Sequence, residues 1–380
     1  MQPFLIGSEI YRRSTYGGRH PLAIPRVSLM LDLVRALGWV EAAFYVDAPL
    51  ATPAELARFH DPAYVAAVER AEREQRVDPE TSLRHHIGRS GNPIYGEIFR
   101  RPATSCGATL RAVDLLLGGA EAPRLIYSPA GGTHHGRRDR AAGFCYFNDP
   151  VLGILRLLDR GVARVLYVDL DAHHGDGVED AFLDEPRVLT ISIHERERWP
   201  YTGRIEDQRA NARNLPVPPG FNDSELDFLL EAAVLPLGRD FAPEALVIQG
   251  GADGLADDPQ SKLALSNGAL WRAVARLRTL APRVLVLGGG GYNPWSVARC
   301  WAGVWATLAG REIPERLPEA AERLLRAVEW RHSLARQAPE RWFTALADPP
   351  NDGYVRPELR EVAAAALRGA MTPAPARAAS

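Results

Sequence analysis

Short apolar runs alternating with longer helical patterns predict an α/β protein, a single doubly wound domain whose parallel sheet lies between layers of helices. Two observations carry the prediction. The strand candidates have almost no polar interruption, as strands do when helices cover both faces of a parallel sheet. Four of them lead directly into polar, glycine-rich segments, and open α/β sheets bind ligands beyond the C-terminal ends of their strands.

The strand candidates are residues 4–6, 125–127, 165–169, 188–193, 246–248 and 284–287. Helical patterns lie near 62–74, 104–117, 149–160, 224–238, 261–279 and 295–308. No internal repeat and no Gly/Ser or Pro linker splits residues 1–345, which read as one domain, with 346–380 as a C-terminal extension. The last ten residues, from Met371, have the composition of a disordered tail.

The 380 residues are 46% hydrophobic and 24% charged, with a net charge of −2, so there is no global electrostatic case for nucleic acid or an anionic membrane. Cys106, Cys145 and Cys300 have no paired spacing and read as core thiols of a reduced protein. The N-terminus lacks a signal-peptide pattern, and no apolar run approaches the ~20 residues of a membrane span. The expected location is the cytoplasm, and oligomerisation is left open.

Chemistry concentrates in Asp169-Leu-Asp171-Ala-His173-His174-Gly-Asp176, three carboxylates and two imidazoles in eight residues. Uncompensated buried charge is costly, so a cation is expected among them. Alternate residues of an extended strand share a face, which brings Asp169, Asp171 and His173 together. With the distant Asp253, of Gly-Gly-Ala-Asp253, Asp171 and His173 form an oxygen–nitrogen ligand set suited to zinc or another divalent first-row metal, with an open position for water and substrate. Two anionic ligands moderate the acidity of a metal-held water, so a separate base is needed. His134 and His135 are the candidates, with Asp169 and Asp176 as carboxylates to orient them. Tyr292 follows Gly288–Gly291 and is placed to donate a hydrogen bond to a developing oxyanion. Together these groups describe hydrolysis of an amide or ester. The isolated pair His85-His86 reads as exposed, and the charged segments 137–140 and 195–198 read as solvated loops. Asp257 and Asp258 read either as supports of the site or as turn residues.

In chain order, GGTHHG, GFCYFND, YVDLDAHHGDGVEDAF, GGAD and GGGGYN resemble the zinc-dependent histone deacetylase family, nearest its class I branch and the bacterial acetoin-utilisation-type members. The resemblance runs from His20 to Trp305. It implies the arginase–deacetylase fold, an eight-stranded parallel sheet flanked by helices, within a catalytic domain spanning 1–345. It implies a single zinc ion on Asp171, His173 and Asp253, His135 with Asp176 as general base and then acid, and His134 with Asp169 acting electrostatically. Tyr292 would polarise the acetyl carbonyl, Phe144 and Trp199 would line the substrate's aliphatic chain, and the Gly143 carbonyl would accept its amide N–H. Arg26 corresponds to an arginine at the base of the acetate pocket. A structural potassium site is implied at Asp169, Asp171, His173, Ser192 and Ile193, and a second around Phe182, Glu185 and Val188. The expected partner is an acetylated amine such as acetyl-lysine.

Departures are specific. Gly91-Asn92 stands where the family carries a rim aspartate that grips a peptide backbone. Thr133 replaces a larger apolar residue, Gln260 an apolar residue of the pocket lip, and Trp199 a phenylalanine. These keep open a small-molecule substrate, such as an acetylpolyamine or a biosynthetic intermediate, and a longer acyl group. An arginase-type ureohydrolase with two metals and a non-catalytic acetyl-group binder complete the alternatives.

Overall fold

Eight strands form one all-parallel sheet among the residues described: β1 (Phe4–Gly7), β2 (Tyr45–Asp47), β3 (Leu125–Ser128), β4 (Val165–Asp169), β5 (Val188–Glu195), β6 (Ala212–Val217), β7 (Ala245–Gln249) and β8 (Val284–Leu287). Their order is β2-β1-β3-β8-β7-β4-β5-β6. The structure is a computed structural model that describes residues 2–13, 16–18 and 20–368. The proposed tail from Met371 lies outside them.

Both faces of the central strands are buried, which is why their sequences lack alternation. Leu166, Val168, Leu246, Ile248 and Val286 join one core with the helices Asn267–Leu277 and Pro294–Ala309. Their neighbours Val165, Tyr167, Val247, Leu285 and Leu287 join a second core with the helices Arg100–Leu116 and Asp149–Asp159. Each buried aliphatic side chain contributes roughly 1.5–3 kcal/mol.

Both strands that sequence reading misses, β2 and β6, are sheet edges. β2 is three residues long, and β6 reads Ala-Arg-Asn-Leu-Pro-Val, where a proline is tolerated because one side of an edge strand has no ladder to complete. The helix Glu358–Arg368 packs beside β6 and adds Leu359, Val362 and Ala363 to the first core.

Two helices differ from expectation. The pattern at 224–238 extends to Phe241, with a wider i→i+5 turn over Leu230–Val234, where Pro236 supplies no N–H to the ladder. The helix expected from 261 begins at Asn267, where Ser266 accepts a capping bond from the Ala269 N–H at 3.2 Å. Upstream, Leu265 bridges in parallel to Leu255.

The four motif-bearing strands stand side by side, as β3-β8-β7-β4. Segments 129–136, 288–293, 250–253 and 170–176 therefore leave one edge together. Asn148 and Asn293 cap the helices that carry the chain away, accepting bonds from Val151 N (3.0 Å) and Trp295 N (3.1 Å).

Candidate active site

Asp171, His173 and Asp253 converge from β4 and β7. One ligand atom from each lies within 4.8 Å of the others. The Gly290 N–H occupies Asp171 Oδ2 (2.6 Å), and the Ala172 N–H occupies Asp253 Oδ1 (2.9 Å). The remaining oxygens face His173 Nδ1, at 3.3 Å for Asp171 Oδ1 and 2.9 Å for Asp253 Oδ2. This close approach needs glycine at 290, because a Cβ there would collide with Asp253 Oδ2. The electrostatics suit a cation. Burial and the Asp171 charge push the Asp253 carboxyl up to about 6, while against burial the two aspartates raise the His173 imidazole to about 10. The residues fit a metal ion with one imidazole and two carboxylate ligands.

His134 and His135 are chemically identical neighbours with opposite electrostatics. His134 Nδ1 lies 2.7 Å from Asp169 Oδ2, which also accepts the Tyr167 hydroxyl at 2.7 Å. Burial disfavours its charge, but Asp169 and Asp171 outweigh that and raise it to about 9. His135 Nδ1 lies 2.7 Å from Asp176 Oδ1. Burial and the adjacent His134 charge lower it to about 4, even with Asp176 opposing. Arg137 donates to the other Asp176 oxygen, and burial of that carboxylate is outweighed by His135 and Arg137, which hold it down at about 2. The neighbouring aspartates therefore favour the charged form of His134, whereas burial and His134 favour the neutral form of His135, able to accept a proton.

Tyr292, Arg26, Gly143 and Phe144 line a cavity of about 50 Å³ together with both histidines, Asp171 and His173. Burial and the Asp253 and Asp171 charges push the Tyr292 phenol well above its usual range, so it remains a donor. Its backbone N–H is held by Asp258 Oδ2 at 2.6 Å. Arg26 donates to Gly289 O (2.7 Å) and lies over the Trp301 ring at 5.3 Å, while its buried Nε has no partner among the described residues. Gly143 has φ +52°, and a Cβ there would meet His135 Cδ2 at 2.5 Å as well as Trp199. Trp199 is 40% exposed and stands edge-on to His135, with ring centroids 4.7 Å apart, so it is a wall of the mouth and not core. Phe144 is part-buried, edge-on to Tyr292 at 6.1 Å. Gln260 does not line the inner cavity. It lies at the mouth, its N–H held by Asp258 Oδ1 at 2.8 Å.

Of the residues named for potassium, Asp171 and His173 belong to the metal group, Asp169 is registered with Ser192 across β4 and β5, and Ile193 follows, buried. Around the second implied cation site, the Asn211 side-chain amide donates to both Phe182 O (2.6 Å) and Glu185 O (3.1 Å).

Several local readings are corrected. His85 is buried, with Nδ1 at 2.6 Å from Asp139 O. Neither charged segment is wholly solvated. Arg137 ties down Asp176 and Asp180, and buried Glu195 pairs with Arg198 at 2.6 Å and accepts the Lys262 N–H at 2.8 Å. Asp258 positions Tyr292, and Asp257 accepts from Arg341 (2.7 Å) and Trp342 (2.8 Å). Sequence reading missed Asp149, which is fully buried and gathers the Gly132 and Thr133 N–H groups (3.0 and 2.8 Å) and the Thr109 hydroxyl (2.8 Å) just before the histidine pair. Its signal was present in the FND segment, immediately before an apolar helical pattern. Gln249, at the end of β7, donates to Gly132 O at 2.9 Å and was likewise missed.

A sequence profile of the histone deacetylase domain matches residues 20–308. The chain belongs to the histone deacetylase family. It is 35% identical to histone deacetylase 8 of Xenopus tropicalis over 301 residues, covering 77% of this chain and 80% of that protein. It is 34% identical to histone deacetylase 9 of Arabidopsis thaliana over 312 residues, covering 80% and 72%. Crystal structures of an HDAC homolog from Aquifex aeolicus and of an HDAC homolog complexed with SAHA each superpose with a TM-score of 0.91 at 35% identity, covering 96% of this chain and 100% of theirs. This deacetylase is a metal-dependent hydrolase with the arginase–deacetylase fold. Among its described residues, no helix is long and apolar enough to cross a membrane.

Proposed function

We propose that the protein removes an acetyl group from an N-acetylated amine such as acetyl-lysine, with zinc held by Asp171, His173 and Asp253. Bound there, the ion supplies a Lewis acid that acidifies water and polarises the amide carbonyl. Tyr292 donates its O–H to the carbonyl oxygen as negative charge develops. Neutral His135, steadied through Nδ1 by Asp176, takes a proton from the attacking water at Nε2 and hands it to the departing amine nitrogen, releasing acetate. Charged His134 stabilises the developing anion and keeps its neighbour neutral. Gly143 O accepts the amide N–H, and Phe144 and Trp199 hold the aliphatic chain.

The observation that carries the reading is a three-ligand metal group beside two buried histidines, each with Nδ1 held at 2.7 Å by its own buried aspartate. The small inner cavity and the buried Arg26 at its base favour an acetyl-sized acyl group. A two-metal ureohydrolase reading is disfavoured, since one three-ligand group occurs among the described residues. A potassium ion on Asp169, Asp171, His173, Ser192 and Ile193 would brace the metal loop. Three buried free thiols support a reducing, cytoplasmic setting.

Small acylated amines are favoured over long peptides by the rim. Asn92 is fully buried, its Oδ1 accepting the Phe144 N–H at 3.0 Å, and Gly91 offers no side chain to grip a peptide backbone. The test is hydrolysis of an acetyl-lysine peptide and of N-acetylated small amines by metal-loaded protein, before and after chelation. Turnover that is lost on chelation and restored by zinc is expected; chelator-resistant turnover, or none, rejects the reading.

A further inference from the structure

Beside the inner cavity lies a larger one of about 430 Å³, lined in part by His20, Gln260, Tyr292, Trp330, Arg331 and His332. The last three belong to a segment beyond residues 20–308, where the family domain is matched. This segment is fastened to the site by aromatic packing. The Trp330 ring stacks on His332 (4.5 Å, 12°) and stands edge-on to Trp295 (5.7 Å, 79°), three residues after Tyr292.

Between those two rings Arg331 is exposed, and among the described residues its guanidinium has no hydrogen-bond or ion-pair partner. The other free polar groups in the wall among the described residues are the Gln260 amide, the Tyr292 hydroxyl and Nε2 of His332, whose Nδ1 accepts the Leu334 N–H at 3.3 Å, and all three can donate. Both His20 nitrogens are engaged, with Gly91 O at 2.9 Å and the Leu22 N–H at 3.1 Å. Among the described residues no carboxylate lines the cavity. Asp258, behind it, is committed to the Gln260 and Tyr292 N–H groups, and Asp257 to Arg341 and Trp342.

A donor-lined cavity with one unpaired guanidinium suits an anion, and the planar fork of arginine matches a carboxylate in bidentate geometry. We infer that this cavity is a second substrate subsite, in which Arg331, with Gln260 beside it, takes a carboxylate carried by the acylated amine. The inference rests on the deacetylase reading and narrows its substrate class to anionic acylamines, such as acylated amino acids or an acyl-lysine with a free C-terminus. Acetylpolyamines are disfavoured, because an ammonium placed here meets a guanidinium and finds no counter-charge.

Three substrates sharing an N-acetyl-lysine-like arm and ending in a carboxylate, a carboxamide or an ammonium group test this by steady-state kinetics. Wild type is expected to bind the carboxylate with a KM about fivefold below that of the carboxamide, the upper end for a partly exposed ion pair. Arg331→Gln should bring the two KM values together while leaving kcat on the carboxamide unchanged, and Arg331→Glu should shift preference to the ammonium substrate. Turnover of all three with equal KM in wild type, or a carboxylate preference that survives Arg331→Gln, overturns the subsite and leaves the deacetylase reading standing. Absence of turnover on all three overturns the deacetylase reading itself, and the subsite with it.

Discussion

Replacing Tyr292 with phenylalanine removes one hydroxyl and little else. Among the described residues that hydroxyl has no hydrogen-bond partner, while the ring is buried against Phe144 and the backbone is held by Asp258. The phenol makes no bond to Asp171, His173 or Asp253, so metal content and folding should persist, with stability changing by less than about 1 kcal/mol. In catalysis the loss is larger on the proposed mechanism, because burial beside two carboxylates keeps the phenol protonated and able to donate where oxyanion charge develops. Removing one such donor costs about 10²–10³ in kcat, or about 2.7–4 kcal/mol. An interaction made mainly in the transition state lowers kcat and kcat/KM together and leaves KM nearly unchanged. Kinetics on an acetyl-lysine substrate, with bound-metal analysis and thermal unfolding on the same preparation, measure all three quantities. A metal-loaded, folded Tyr292→Phe protein with kcat within tenfold of wild type would refute the oxyanion role.

Asp171→Ala should lose bound zinc and activity together, since it deletes one of two carboxylate ligands; stoichiometric metal in the variant would contradict the ligand assignment. Thr133→Val, close in shape, removes the single hydroxyl proton within reach of both the fully buried Asp149 carboxylate and the Phe147 carbonyl, and should cost about 1–3 kcal/mol in denaturant unfolding. His60 is buried with Nδ1 at 2.9 Å from Arg137 O and Nε2 accepting the Asn148 N–H at 2.9 Å, and burial lowers it from 6.5 to about 4. Its neutral form therefore adds stability that is complete above pH 6.5 and is lost as pH falls to 4, a loss of about 3 kcal/mol. His60→Gln should flatten the pH dependence of unfolding by that amount between pH 7 and 4, and parallel curves for the two proteins would refute it.

The central strands and the four polar segments were readable because each is a local pattern: an apolar run covered on both faces, then glycines, aspartates and histidines crowded at its end. The same density made the ligand set readable, since Asp171 and His173 share two-residue spacing and Asp253 sits in the glycine-rich segment that follows its own strand. Edge strands were not readable, because half their surface lacks a sheet partner and their composition is unconstrained. Asp149 was missed because one carboxylate beside a helix start looks like an ordinary cap until its backbone donors arrive from Gly132 and Thr133.

By itself the chain's order of residues determined the layered parallel architecture and the chemistry at its mouth, for both are written in spacing and residue type. Tertiary structure supplied the neighbours that set the two adjacent histidines apart, Asp169 and Asp171 on one side and Asp176 with Arg137 on the other. It also brought residues 330–332 to line one cavity with Gln260 and Tyr292. Charge state and enclosure depend on neighbours distant along the chain, and only the folded backbone specifies those neighbours.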